Sequence, residues 1–324
     1  MGGTVCRSVE EAADQRYDYV VLTTKAIPEV VKTSKIFEPL LRKGYNEHFK
    51  QPTYVIMQNG LNVEVDLYNA IKALNKGEPK IISTAVYIGA NMLEANLVEH
   101  NDFDRVFLGV YRHNDRLTST NTPEELELLN GFSKLIESGG STVAIVPEIQ
   151  RVKFAKNFWN VAFSGMATLT QYTLPAIFRA PPDGTGESYS PYVCPDTAEL
   201  IETYTIPLIK GIFEELITLA RALGFPDAPG NEGISADTGT RILEGTKALH
   251  LRADSTHVPS MLLDLQKGLP IEVEVIVGEV VRMAKEVNVE VPRVETLYGL
   301  LLVVQNQILR KMKERPQGTS GAQD

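Results

Sequence analysis

Cysteine is nearly missing from this chain: Cys6 and Cys194 are the only two in 324 residues. Two thiols are too few for a disulfide framework or for a structural zinc site. Histidine is also sparse. His48, His100, His113, His250 and His257 form no i, i+4 ligand pair, so no metal site is expected. No apolar run approaches the length of a membrane span, and no hydrophobic leader core follows Met1; the expected location is the cytoplasm, with no membrane partner. Basic charge is in deficit. A formal net charge of −9 leaves no cationic footprint for nucleic acid.

What is present is a globular composition. Hydrophobic residues make up 43% and charged residues 23%, which argues against wholesale disorder and allows a sizeable core. The length favours two domains. YDYVVLTTKA reads as a buried strand, PEVVKTSKIFEPLLRKG as the amphipathic helix after it, and TYVIMQNG as another strand ending in the turn-prone Asn59-Gly60. KIISTAVYIGAN, NLVEHN, DRVFLGVYR and STVAIVP supply further strands, with a helix from Pro123 to Glu137 between the last two. This alternation is the α/β pattern of the second half of a doubly wound sheet. Beyond Pro147 the texture is helical, broken by a loop rich in Pro, Gly and Ser from Phe178 to Asp196. Helices are expected at about 197–223 and 237–251, at Pro270 and beyond, and from Thr296 to Lys313, with a polar, disordered tail from Glu314. The expected fold class is α/β followed by all-α.

Two of the helical stretches carry unusual polar residues. Between Val146 and Thr173, Lys156, Asn160 and Ser164 are spaced i, i+4 and i+8 among Phe154, Phe158, Trp159 and Phe163, which places them on one helix face. A lysine losing solvent there has its pKa lowered and becomes a usable general acid, with the amide beside it as an anchor. The alternative is a snorkelling lysine with a surface amide. Lys153 and Asn157 form a rival pair one turn earlier, and spacing leaves the choice open. Between Pro259 and Pro292, carboxylates at Asp264, Glu272, Glu274 and Glu279 interrupt a Val- and Ile-rich helix. Pro270 suits its first turn. Glu272 has apolar neighbours at Val275 and Ile276; it serves either the positive helix terminus or a site.

The segments TTKA, QNGLNVEVDL, KNFWNVAFSGMATL and PSMLLDLQKGLPIEVEVIVGEVV, in that order between about Tyr17 and Tyr298, resemble the ketopantoate reductase (2-dehydropantoate 2-reductase) family. The resemblance implies a Rossmann-like NADP-binding domain over 1–146, a helical substrate and dimerisation domain over 147–313, and a tail over 314–324. It implies Lys156 as the proton donor and Asn160 and Ser260 as substrate-binding residues. Glu272 would contact cofactor and substrate, and Lys25 and Asn59 would line the cofactor and substrate cleft. Ser164 stands where the family commonly has a second Asn, which alters the donor set at that substrate-binding position. The implied activity is NADPH-dependent reduction of 2-dehydropantoate, or a related 2-oxo acid, to pantoate by a chain that can form a homodimer. One departure matters. The family opens with strand, GxGxxG and helix, whereas Gly2-Gly3 has no strand before it and opens no helix. The phosphate cradle made by that loop is absent, so the alternative is a catalytically defective family member, or an incomplete gene product, acting if at all as a binding or structural protein. A sheet shortened in this way is expected to expose an edge.

Overall fold

In the computed structural model, which describes residues 4–94, 96–186 and 188–314 without the side chains of 101–103, two compact units emerge. One holds the chain up to Asn157 together with Leu223–Ser235; the other holds Phe158–Ala222 and the chain from Ala236 onward.

The first unit is built on one sheet whose five strands lie side by side in chain order: β1 (Tyr19–Leu22), β2 (Thr53–Ile56), β3 (Ile81–Glu94), β4 (Leu97–Val110) and β5 (Thr142–Ile145). β1, β2 and β3 are parallel, β4 returns antiparallel to β3, and β5 runs parallel to β4. Every residue of β2 is buried, as expected of a central strand apolar on both faces. β1 is one of the two edge strands among the described residues and its Val21 is exposed, which corrects the expectation of a buried strand there. NLVEHN and DRVFLGVYR are not two strands: they form β4, paired with β3 along a long hairpin whose register is irregular between Ile88 and Ala90 and between Met92 and Glu94. The outer half of the hairpin runs beyond its sheet neighbours, and Ile88, Met92, Leu93, Leu97 and Val98 are exposed on it.

The single amphipathic helix expected after β1 is instead three short ones, Thr33–Ile36, Glu38–Leu41 and Lys43–His48. Pro39 supplies no N–H to continue the first, so the chain restarts at Glu38 with Pro39 in the opening turn. α1 (Val65–Lys72) follows β2, and α2 (Pro123–Glu137) has the bounds read from the sequence. The signal for α2 is a capping box: Thr122 accepts from the Glu125 N–H while the Glu125 side chain accepts from the Thr122 N–H. α2 packs Leu129 and Phe132 against Val55, Ile82, Val106 and Leu108 of the sheet. After β5, α3 (Ile149–Trp159) begins behind the buried Glu148, which accepts the N–H groups of Gln150 and Arg151. Burial pushes the Glu148 carboxyl above its ordinary range. A Cβ at Gly109 would lie 2.7 Å from the Ile149 Cβ and 3.0 Å from the Val146 carbonyl oxygen, so only glycine lets α3 start this close to β4.

The second unit is helical. A π turn, Asn160–Ser164, and the helix Gly165–Thr170 continue directly from α3. The other elements are α4 (Ile206–Ala222), α5 (Thr238–His250), α6 (Ser260–Gln266), a second π turn (Glu274–Gly278) running into α7 (Glu279–Glu286), and α8 (Pro292–Glu314). Phe213 of α4 stacks on Phe158 at 6.1 Å between centroids and meets Phe163 edge-on at 5.9 Å. The loop between Phe178 and Asp196 has no helix or strand among its described residues up to Cys194. The helix expected from Pro270 starts later, at Val273. Beyond Glu314, the expected tail lies outside the described residues. A mixed, helix-flanked sheet followed by a helical region is a Rossmann-like first unit with an all-α continuation, the fold class expected from the sequence.

Candidate active site

In the first unit the site residues follow from strand register. Leu22 of β1 is opposite Ile56 of β2. Two residues beyond each, buried Gln58 donates from Nε2 to the Thr24 carbonyl at 2.9 Å, so the two chains leave the sheet in step. One residue further lie Lys25, exposed, and Asn59, half-buried. Ligands of open α/β sheets bind outside these carboxyl ends of parallel strands. Gly60 at φ 89 and Asn62 at φ 53 then turn the chain back toward α1; the first of these angles is open to glycine with little strain.

α3 brings Lys156 to the same place. Its Nζ donates to Asn59 Oδ1 at 2.5 Å and lies 5.4 Å from the centroid of the Tyr87 ring, within reach of a cation–π attraction. Burial pushes the Tyr87 phenol above its usual range. Lys153, the rival by spacing, is engaged elsewhere. It is 6% exposed, and its Nζ donates to Glu64 Oε1 and, at 3.2 Å, to Ser83 Oγ. Ser83 Oγ in turn donates to Glu64 Oε1. Lys153 thus bonds a buried carboxylate, and half-buried Lys156 bonds the Asn59 amide beyond the strand ends.

In the second unit, half-buried Asn160 opens the first π turn and Ser164 closes it. The Gly165 N–H bonds to the Asn160 carbonyl, an i→i+5 link. The α-helical stripe expected through Ser164 therefore stops at Asn160, and Ser164 is rotated off its line. Ser164 is fully buried; its hydroxyl has no hydrogen-bond partner among the described residues. This π turn packs against α6 and against the second π turn, which gathers the segments bearing Asn160, Ser260 and Glu272. Ser260, half-buried, is the first residue of α6. Glu272 is 3% exposed and lies just before the helix; its carbonyl accepts the Ile276 N–H at 3.1 Å. The preceding Ile271 is gripped on both backbone groups by Gln305 of α8, at 2.9 and 3.0 Å. Glu274 and Glu279 are occupied by Arg282, which they bond at 2.8 and 2.7 Å; Asp264 is buried on α6.

Sequence reading missed Glu64, Ser83, Tyr87 and Gln305. A polar signal existed for two of them: Glu64 directly precedes the apolar start of α1, and Ser83 interrupts an apolar strand. Their partners are distant in sequence, so spacing could not pair them. Among the described residues no cluster of His, Cys, Asp and Glu could hold a metal, and no helix is long and apolar enough to cross a membrane. Lys25 and Asn59 lie just beyond the carboxyl ends of β1 and β2, where open α/β sheets bind ligands; no GxGxxG occurs in the 324 residues.

Comparison with known proteins agrees with this anatomy. Residues 4–113 match the family profile of ketopantoate reductase PanE/ApbA, and residues 192–305 match its C-terminal counterpart. A Saccharomyces cerevisiae protein, YDL144C, is 24% identical over 95% of this chain and 78% of its own length. The 2-dehydropantoate 2-reductase of Methylococcus capsulatus superposes with a TM-score of 0.65 at 20% identity, covering 93% of this chain and 78% of that one. A D-mandelate dehydrogenase, solved with NADH and anilino(oxo)acetate, superposes with a TM-score of 0.63 at 16% identity, covering 92% and 78%. With its sheet unit and its helical unit each matched by a part of one family, the chain belongs to the PanE/ApbA ketopantoate reductase superfamily.

Proposed function

We propose that the chain is a cytoplasmic, nicotinamide-dependent reductase of small 2-oxo acids, with NADPH as cofactor and 2-dehydropantoate, or a close analogue, as substrate. The observation that carries this reading is Lys156 held on Asn59 at the carboxyl ends of parallel strands. A bound reduced nicotinamide supplies the hydride. Lys156 then protonates the alkoxide oxygen formed from the 2-oxo group, a charged donor already oriented for the transfer. Asn59, Asn160 and Ser260 orient the substrate carboxylate and hydroxyl groups, and Glu272 accepts a hydroxyl of substrate or cofactor. Lys25 and Asn59 hold the cofactor side. Ser164 presents no group to solvent, so the amide that would bond substrate at this position is missing, which favours related 2-oxo acids beside 2-dehydropantoate. Relatives of this fold take different acids: the D-mandelate dehydrogenase was crystallised with anilino(oxo)acetate. The product from 2-dehydropantoate is pantoate, on the route to pantothenate and coenzyme A, and a homodimer is the assembly this reading implies.

A second reading, a family fold that does not turn over, is favoured by one observation, the lack of a GxGxxG loop in these residues. One assay separates the two. Purified chain is incubated with NADPH or NADH at millimolar concentration and a panel of 2-oxo acids. The reductase reading expects oxidation of cofactor with at least one acid, and a drop of roughly 10²- to 10⁴-fold in Lys156→Ala, the usual worth of a positioned general acid. No oxidation with any acid, or a Lys156→Ala variant as active as the parent, overturns it.

A further inference from the structure

We propose that Glu64 and Lys153 are positioning residues that hold Lys156 against Asn59; the proposal rests on reading Lys156 as the proton donor. Asn59 and Glu64 are the two ends of one turn between β2 and α1, and Lys153 and Lys156 are one helical turn apart on α3. Two bonds therefore cross between the same two segments, Lys156 to Asn59 and Lys153 to Glu64. One such bond restrains α3 at a single point. A second, one turn away, fixes both its rotation and its distance from the turn. Ser83 ties this pair to the sheet: it stands opposite Ile56 in register, donates to Glu64 and accepts from Lys153.

The chemistry of the pair matters as well as its place. Glu64 is 1% exposed and Lys153 6%, so the charges are withdrawn from water. Apolar contact is non-directional and tolerates sliding, whereas a buried, charge-assisted hydrogen bond fixes geometry. Reactions carried by a positioned group lose about 10²-fold for a displacement near 1 Å, which is the tolerance such a clamp would serve. Neither residue needs to touch substrate to act in this way.

The test is the reactivity of Lys156 itself, which needs no turnover. Full-length chain and the variants Lys153→Met, Glu64→Gln and Lys153→Arg are pulsed with acetic anhydride, and modification of Lys156 is followed by peptide mass spectrometry, with circular dichroism confirming folding. Lys153→Met and Glu64→Gln are expected to raise the Lys156 rate about threefold or more, as the Asn59 bond loosens, and Lys153→Arg to return it toward the parent. In the turnover assay the same two variants are expected to lower kcat about 10- to 100-fold with little change in KM for the 2-oxo acid. Folded variants with parental Lys156 reactivity overturn the proposal. If the single variants do not fold, the paired Glu64→Leu with Lys153→Met leaves no buried charge unpaired; faster labelling there supports the clamp and parental labelling overturns it. A parent without turnover defeats the reductase reading alone, because the labelling still decides the clamp.

Discussion

Two lysines three residues apart illustrate what spacing along a helix does and does not decide. Lys153 and Lys156 each have an asparagine four residues on, and both fall in an apolar helix; in the structure Lys153 bonds Glu64, 89 residues earlier, and Lys156 bonds Asn59. Lys25, Asn59 and Lys156 were singled out by the short motifs that hold them, and the structure joins the last two by a hydrogen bond. Glu64 was not singled out, because an acidic residue before a helix has an ordinary explanation at its N-terminus. His250 shows the same limit. It is fully buried, its Nδ1 lies 2.9 Å from Ser255 Oγ, and its Nε2 has no hydrogen-bond partner among the described residues. Burial, then the charges of His257 and Arg179, bring its pKa down to about 4 from the ordinary 6.5. A histidine depressed in this way is neutral in the folded state, while the unfolded chain takes up a proton first as pH falls. Its contribution is therefore complete above pH 6.5 and is lost between 6.5 and about 4, by no more than about 3 kcal/mol. Thermal midpoints measured from pH 8 to pH 4 should fall through that window, and less steeply in His250→Gln. Parallel slopes for parent and variant would show that His250 is not the group responsible.

Elements were legible where their signals are local. α2 is announced by Thr122, Pro123 and Glu125 in a capping box and stops at Glu137 as read. The segment after β1 has a helical period too, but Pro39 within it forces a restart and Arg42 is extended, so one expected helix becomes three pieces. The π turns were invisible, since the sequence Asn160–Ser164 satisfies an i, i+4 pattern as well as an i→i+5 one. Turns of this kind are frequent at functional sites, and the first of them carries Asn160 and Ser164. Energetics at this scale single out the contact between α3 and the turn after β2. Lys153→Met leaves Glu64 buried without its ammonium, and should cost about 3–5 kcal/mol in urea unfolding at neutral pH. Replacing both partners, Glu64→Leu with Lys153→Met, should recover most of that loss, since the desolvation of two charges disappears with them. A paired variant no more stable than the single one would mean that the pair contributes net stability, not only alignment.

For the whole molecule, the α/β-then-α order was readable from periodicity, but the return of Leu223–Ser235 to the sheet unit was not. That segment carries no strand or helix of its own. It joins the first unit through Phe225 against Phe154 at 5.4 Å and through the bond from Arg151 to the Glu232 carbonyl, contacts no local pattern encodes. The same scale governs cofactor binding, because a dinucleotide needs its pyrophosphate and its nicotinamide held at once. In the proposed reading, the strand ends with Lys25 and Asn59 serve the second need. For the first, the 324 residues offer no GxGxxG, and each backbone or charged bond to phosphate forgone costs about 1.5–3 kcal/mol. A micromolar complex corresponds to about −8 kcal/mol; without two such bonds, the dissociation constant moves to roughly 0.1 mM or weaker, at about 1.4 kcal/mol per tenfold. Isothermal titration of the folded chain with NADPH should therefore give a Kd in or above that range, which millimolar cofactor in the turnover assay would still saturate in part. A micromolar Kd would instead mean that other residues of the chain grip the pyrophosphate.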